Sequence, residues 1–148
     1  MIVIDANILL YAYDSASLDH EAARNWLEDA LAGYEAVGLS WVTLLAFLRI
    51  STNPRARKDP YSLAEANAIV SQWLDRAIAS VVHPGERHWE ILKDLLVEGQ
   101  ASGKLVTDAH LAALAIEHGA TLCSTDRDFT RFPGLRLLNP LKPPSRKR

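Results

Sequence analysis

The chain has little of what would place it in several large classes of protein. Cys123 is the one cysteine among 148 residues, which excludes an internal disulfide framework and a zinc cluster built on thiolates. No apolar run approaches the roughly 18 residues that a membrane-spanning helix requires. Asp5 interrupts the apolar N-terminus and no basic segment precedes it, so this segment predicts a buried strand and not a signal peptide. Together these features predict a protein of the reducing cytoplasm.

Charge of neither sign dominates the whole chain, whose formal net charge is −2, but the charges are unevenly placed. The last seven residues carry four positive charges and no negative ones, whereas the rest of the chain is acidic. An acidic body argues against a general nucleic-acid-binding surface, which would be basic. We therefore expect residues 1–140 to form one domain, followed by a basic and disordered tail at residues 141–148.

Apolar segments of strand length alternate along the chain with amphipathic segments of helix length. Short runs that are apolar on both faces are typical of strands in the centre of a parallel sheet. Ser62 and Glu65 form a capping box, which predicts the start of a helix. Strands are predicted near residues 1–5, 36–39, 79–82, 121–124 and 135–138, and helices near residues 19–32, 41–51, 62–76, 84–97 and 107–119. This order predicts an α/β domain with helices on both faces of a parallel sheet.

Four aspartates stand where predicted strands end or a predicted helix begins. Asp5 ends the first strand, and Asp126 follows the fourth, with Asp128 two residues later. Thr107 or Asp108 is expected to cap the last helix. Because ligands of such sheets bind outside the carboxyl ends of the strands, we expect these acids to share one edge. At about 5 Å and an effective dielectric of about 20, two carboxylates repel by roughly 3 kcal/mol. Such a cluster needs a cation, and oxygen ligands favour Mg²⁺ or Mn²⁺, which indicates a metal-dependent enzyme acting on phosphate esters.

Four segments in this order resemble the PIN-domain ribonucleases, and more narrowly the VapC toxins of bacterial toxin–antitoxin pairs. They read M-I-V-I-D-A-N-I-L-L-Y-A, L-S-W-V-T-L-L-A-F-L-R, T-D-A-H-L-A-A-L-A and S-T-D-R-D-F. The resemblance implies a three-layer α/β/α sandwich around a short parallel sheet, and cleavage of RNA with Mg²⁺ or Mn²⁺. It also implies a homodimer and a cognate antitoxin, VapB-like, that blocks the site. By position, Asp5, Asp108 and Asp126 resemble the family's metal ligands, and Asp128 resembles its outer acid.

One residue departs from the pattern of that family, which usually places a glutamate in the helix after the second strand. The matching stretch V-T-L-L-A ends in Ala46, which removes one carboxylate from the expected metal site. A degenerate PIN module that binds RNA or a partner without cleaving is therefore an alternative. A second alternative is a haloacid-dehalogenase-type phosphotransferase, because residues 126–130 read D-R-D-F-T. Only 18 residues follow Thr130, too few for the further lysine and acids of that family.

An acidic pocket that acts on RNA needs cations beside it, because the phosphate backbone is a polyanion. A basic stretch begins near the end of the helix at residues 41–51, and a solvated loop without a binding role is the alternative. The candidate substrate-binding residues are Arg49, Arg55, Arg57 and Lys58. Tyr11, Tyr13 and Trp41 lie nearer the predicted edge, where both core packing and stacking on RNA bases are open.

Overall fold

A five-stranded parallel sheet forms the centre of the computed structural model, which describes residues 1–142. In chain order the strands are β1 (Ile2–Ile4), β2 (Val37–Leu39), β3 (Ala79–Val81), β4 (Thr121–Cys123) and β5 (Arg136–Leu138). In space their order is β3-β2-β1-β4-β5, so β1 is the central strand. Every neighbouring pair is parallel, as the sequence predicted.

Six α-helices and one 3₁₀ helix connect these strands. They are α1 (Ala6–Ala12), α2 (His20–Ala32), α3 (Trp41–Ser51), α4 (Leu63–Leu74), α5 (His88–Glu98), α6 (Leu105–Glu117) and the 3₁₀ helix Arg127–Arg131. The capping box predicted at Ser62 and Glu65 is present at the start of α4. Among the described helices, none has the length and hydropathy needed to cross a membrane. Most of the predicted basic tail, residues 143–148, lies outside the described residues.

Two apolar cores, one on each face of the sheet, hold the helices in place. Along β1, Ile2 and Ile4 face the core built with α1 to α4, whereas Val3 faces the core built with α5 and α6. This alternation is the period of two that side chains follow along a strand. The three-layer α/β/α sandwich is therefore confirmed.

Neighbouring strands end level with one another at one edge of the sheet. Ile4 pairs with Cys123, and the chain continues from these residues into Asp5 and Ser124. The backbone N–H of Asp5 donates a hydrogen bond of 2.9 Å to the carbonyl oxygen of Cys123, which extends the pairing by one residue. Residues that follow β1 and β4 are thereby brought together although they are far apart in sequence.

Helix α6 packs on β1 and β4 mainly through small side chains. It shares one apolar core with Val3 of β1 and Leu122 of β4. Its buried residues are Ala109, Leu111, Ala112, Ala113, Leu114 and Ala115. Because protein interiors are close-packed, the alanines let the helix backbone lie near the sheet. The helix carries Asp108 in its first turn.

Helix α6 also begins earlier than predicted. Its first residue is Leu105, so the expectation that Thr107 or Asp108 caps it is wrong. Gly103, with a φ of 60°, turns the chain into the helix, and glycine adopts this conformation without strain. Asp108 instead lies within the first turn, where the positive end of the helix dipole favours a negative charge.

Candidate active site

Asp5 lies between β1 and α1 and serves both elements. Its Oδ1 atom accepts a hydrogen bond of 2.8 Å from the backbone N–H of Ala6, which caps α1. Its Oδ2 atom accepts a hydrogen bond of 2.7 Å from the hydroxyl of Ser124. Burial raises the pKa of Asp5, the two hydrogen bonds oppose that rise, and the charge of Asp126 adds to it. The carboxylate is therefore held in one orientation at the edge of the sheet.

Ser124 joins the ends of β1 and β4. Its buried hydroxyl donates to Asp5 and accepts a hydrogen bond of 3.0 Å from the backbone N–H of Asp126. The side-chain amide of Asn7 donates to the hydroxyls of Thr125 at 2.8 Å and Ser124 at 3.3 Å. Ser124 was not among the site residues predicted from the sequence. The available signal was a small polar residue between an apolar strand and an acid.

Three of the four predicted acids converge beside this network. Asp108, Asp126 and Asp128 each offer a carboxylate oxygen, and these oxygens lie within 4.8 Å of one another. The Oδ1 atom of Asp126 accepts a hydrogen bond of 2.8 Å from the backbone N–H of Asp128, and this turn opens the 3₁₀ helix. The predicted trio of ligands contained Asp5 in place of Asp128. Asp5 lies outside this group of three, but it lines the same cavity as Asp108 and its charge helps to raise the pKa of that residue, so its place among the ligands stays a prediction.

The surroundings of Asp108 raise its pKa from 3.8 to about 6. Burial is the largest cause, followed by the negative charges of Asp126, Asp5 and Asp128, while Lys104 opposes them. A divalent cation would remove this repulsion. Three converging carboxylate oxygens are also the ligand type that Mg²⁺ and Mn²⁺ prefer. The residues present therefore fit a hard divalent ion.

A cavity of about 150 Å³ opens beside Asp5 and Asp108, between α3 and α6. Its lining residues are Asp5, Ala6, Val42, Thr43, Ala46, Thr107, Asp108 and Leu111. Ala46 thus shares this cavity with two of the acids, at the position where a glutamate was expected from the resemblance. The lining contains no third carboxylate.

Comparison with known proteins identifies the family of this chain. The PIN domain family matches residues 2–135. The chain belongs to this family. It is 43% identical over 136 residues to Ribonuclease VapC37 from Mycobacterium tuberculosis, covering 92% of this chain and 94% of that protein. It is 37% identical over 142 residues to Ribonuclease VapC33 from the same species, covering 96% of this chain and 99% of that protein.

Solved structures share the fold of this PIN domain at low sequence identity. VapBC2 from Rickettsia felis, bound to a DNA fragment from its promoter, matches with a TM-score of 0.68 at 20% identity, covering 93% of this chain and 98% of that chain. VapC20 from Mycobacterium tuberculosis, described as a toxin that cleaves the sarcin–ricin loop, matches with a TM-score of 0.64 at 18% identity. The match covers 92% of this chain and 99% of that chain. The family match replaces the haloacid-dehalogenase interpretation of residues 126–130.

The basic stretch of this PIN domain has an internal and an exposed part. The Nη2 atom of Arg57 donates a hydrogen bond of 2.8 Å to the carbonyl of Tyr13, and its guanidinium lies 4.7 Å from the centre of the Tyr61 ring. The Oδ1 atom of Asp14 lies 3.8 Å from the Nη2 atom of Arg57, and the side chain of Arg57 is only 9% exposed. Arg57 thus anchors its loop to the fold, and its predicted contact with substrate stays untested. The exposed cations, which stay predicted substrate contacts, are Arg49, Arg55 and Lys58.

Restoring an acid at position 46 is expected to tighten metal binding by this PIN domain. Ala46→Glu adds a carboxylate to the cavity that Asp5 and Asp108 line, and affinity for hard cations rises with the charge of the ligands. We expect Mn²⁺ to bind about tenfold more tightly in a calorimetric titration. Ala46→Gln has nearly the same shape without the charge and should leave the affinity unchanged. A folded Ala46→Glu protein with wild-type affinity would show that position 46 does not reach the ion.

Proposed function

We propose that this protein is a metal-dependent endoribonuclease and the toxin component of a VapBC-type toxin–antitoxin pair. One observation carries the proposal. Asp108, Asp126 and Asp128 converge at the strand ends of a PIN domain that is 43% identical to a VapC ribonuclease. Clustered carboxylates of this kind suit an ion that binds phosphate oxygens, and the proposed ion is Mg²⁺ or Mn²⁺.

Each acid has a defined task in this proposal. Asp108, Asp126 and Asp128 hold the ion, and Asp5 stands beside them in an orientation that Ser124 fixes. When bound, the ion neutralises charge on the phosphodiester and lowers the pKa of a water molecule. Ser124 keeps Asp5 and Asp126 aligned because it forms a hydrogen bond with each. A carboxylate that is not needed to hold the ion is free to accept a proton.

Cleavage of RNA by the purified protein tests the proposal. We expect a panel of end-labelled single-stranded and stem–loop RNAs to be cut internally when Mg²⁺ or Mn²⁺ is present. Chelation with EDTA should stop the reaction, and excess metal should restore it. The same RNA sequence made as DNA should stay intact if the site reads the ribose. Cutting that continues unchanged in EDTA would contradict metal dependence.

A second candidate function rests on Ala46 and the cavity that it lines. Because this cavity lacks a third carboxylate, the domain is also compatible with RNA binding that does not lead to cleavage. The same assay separates the two candidates. Retention of every RNA in a gel-shift experiment, with no cleavage by Mg²⁺ or Mn²⁺ at any concentration, would favour the non-cleaving module.

We further propose a VapB-like antitoxin as the partner and a homodimer as the quaternary state. Support for the partner comes from the proteins that share the fold, which include VapBC-1 from Haemophilus influenzae and VapBC2 from Rickettsia felis. The acidic edge offers a physical reason, because arginine forms bidentate pairs with carboxylates. An antitoxin segment that silences this site is therefore expected to place an arginine near Asp5 and Asp108.

A further inference from the structure

Helix α3 carries an exposed stripe of three residues, Trp41, Leu45 and Arg49. They are spaced four residues apart and therefore lie along one face of the helix. Trp41 is 51% exposed and Leu45 is 58% exposed, and Arg49 is exposed at the end of the stripe. Tyr11 and Tyr13, by contrast, pack against the core that the sheet forms with α1 to α4. Of these three aromatic residues, Trp41 is therefore the one whose side chain is accessible for stacking on an RNA base.

The stripe borders the cavity that Asp5 and Asp108 line. Val42 and Ala46 belong to the cavity wall, and each follows a stripe residue by one position. One position corresponds to about 100° around a helix axis, so the stripe and the cavity wall occupy adjoining faces of α3. The helix also begins at the carboxyl end of β2, on the edge of the sheet where the acids lie. Trp41 is its first residue and is therefore the stripe residue nearest that edge.

The charge along the stripe changes from negative at the acids to positive at Arg49. With an ion bound to the acids, neither end would repel a polyanion. The acids lie at one end, where an ion would neutralise them. At the other end, Arg49 is followed by Arg55 and Lys58 on the loop after α3, and all three are exposed. Arg49 lies two turns, or about 12 Å, beyond Trp41 along the helix axis. Ala46 contributes no negative charge between these ends.

We propose that this face of α3 binds the single-stranded RNA next to the cleaved bond, with the indole of Trp41 stacked on a base and Arg49 paired with a phosphate. The inference rests on the endoribonuclease function proposed above and adds a substrate-positioning residue to it. Aromatic stacking of this kind tolerates any base, because every base has a flat face. The stripe would therefore strengthen binding without reading sequence.

Binding of a fluorescein-labelled, unstructured oligoribonucleotide, measured by anisotropy in EDTA at low ionic strength, tests the inference without cleavage. Trp41→Ala should weaken binding by about 5- to 100-fold, the range expected for one lost stack. Trp41→Phe should retain most of the affinity. Trp89→Ala is the matched control, because Trp89 is 64% exposed but lies on α5, on the opposite face of the sheet. It should bind RNA like the wild type.

Three further measurements extend the test. RNA should quench part of the tryptophan fluorescence of the wild-type protein, and Trp41→Phe should remove that part. Arg49→Gln should reduce the slope of log affinity against log salt by about one, since it deletes one phosphate contact. In the cleavage assay with Mg²⁺, Trp41→Ala should raise KM more than it lowers kcat.

Several results would overturn the inference. Wild-type affinity in Trp41→Ala, unchanged quenching in Trp41→Phe, or equal weakening by Trp89→Ala would each remove Trp41 from the RNA path. A change of oligomeric mass in light scattering with Trp41→Ala but not Trp89→Ala would show that α3 contacts a second copy of the chain. The binding arm needs no cleavage, so a protein that binds through Trp41 but never cuts would refute only the nuclease function.

Discussion

Asp126→Asn is expected to slow RNA cleavage by more than about 100-fold while the protein stays folded. Asparagine keeps the shape of the side chain and can still accept the hydrogen bond from the backbone N–H of Asp128, so the turn into the 3₁₀ helix should survive. What is lost is one of the three carboxylate charges that converge within 4.8 Å. Changes to groups that merely support a metal ligand cost about 10- to 100-fold, so loss of a ligand should cost more.

Single-turnover cleavage with Mg²⁺, together with a thermal melt of each variant, measures this effect. Asp94→Asn is the matched control, because Asp94 is an exposed acid on α5 and its loss should not alter the rate. Asp128→Asn should cost less than Asp126→Asn, since Asp128 is 44% exposed and lies 3.9 Å from Arg131. A folded Asp126→Asn protein that cleaves at the wild-type rate would refute the assignment of the site.

A divalent ion is expected to raise the melting temperature of the wild-type protein by about 5–11 °C. An ion that binds only the folded state, at 100 times its Kd, adds about 2.7 kcal/mol to the free energy of unfolding. A chain of this size melts about 2–4 °C higher for each kcal/mol. Asp108→Asn should have two opposite effects. It should raise the melting temperature in EDTA by removing a repelling charge, and it should diminish the rise that the ion produces.

The stabilisation by Asp108→Asn in EDTA should also depend on pH. The pKa of Asp108 is raised to about 6, so the folded protein holds this proton more tightly than the unfolded chain does. Ionisation of Asp108 therefore destabilises the fold. The destabilisation is absent below a pH of about 4 and grows between pH of about 4 and about 6. Above a pH of about 6 it has reached its full size. Solvent screening reduces its size to about 1 kcal/mol, because Asp108 is only partly buried.

Melting curves with EDTA and with Mn²⁺, recorded between acidic and neutral pH, test both effects in one series. The difference in melting temperature between Asp108→Asn and the wild type in EDTA should widen by about 2–4 °C across that range. Asp94→Asn should follow the wild type throughout. A wild-type protein that ignores millimolar Mn²⁺, combined with an Asp108→Asn variant that melts lower in EDTA at neutral pH, would show that these acids do not form a metal site.

The three central strands were predictable because burial on both faces leaves a plain signal. Ile2–Ile4 is wholly apolar, and β2 and β4 are short runs that are mostly buried. The edge strands β3 and β5 are more exposed, and their signal is the position of a short apolar run next to proline or glycine. Helix α1 was missed because the apolar pattern continues from β1 through Ala12, interrupted only by Asp5 and Asn7. Asp5 both ends the strand and caps the helix, and two elements separated by a single residue leave no loop to detect.

The candidate site was predictable in its membership but not in its geometry. Acids at strand ends must meet at one edge of a parallel sheet, whatever the details of packing. How Asp5 is oriented at that edge depends on Ser124, whose hydroxyl reaches Asp5 across 119 residues of sequence. Arg57 shows the same limit, because its partner is a backbone carbonyl, at Tyr13, that no side-chain pattern reveals. In both cases the deciding contact is a hydrogen bond between segments distant in sequence.

The alanines on the buried face of α6 restrict how this protein can evolve. Extra methyl groups in a packed core cost about 1–3 kcal/mol. Here the added volume would lie between the sheet and the helix that carries Asp108. Valine at Ala112 or Ala113 would lift α6 from the sheet and move Asp108 away from Asp126. In a population selected for the activity of the toxin, these alanines should accept as few replacements as the acids themselves, although they touch neither ion nor RNA. The smallest side chains of the domain are then among its least changeable.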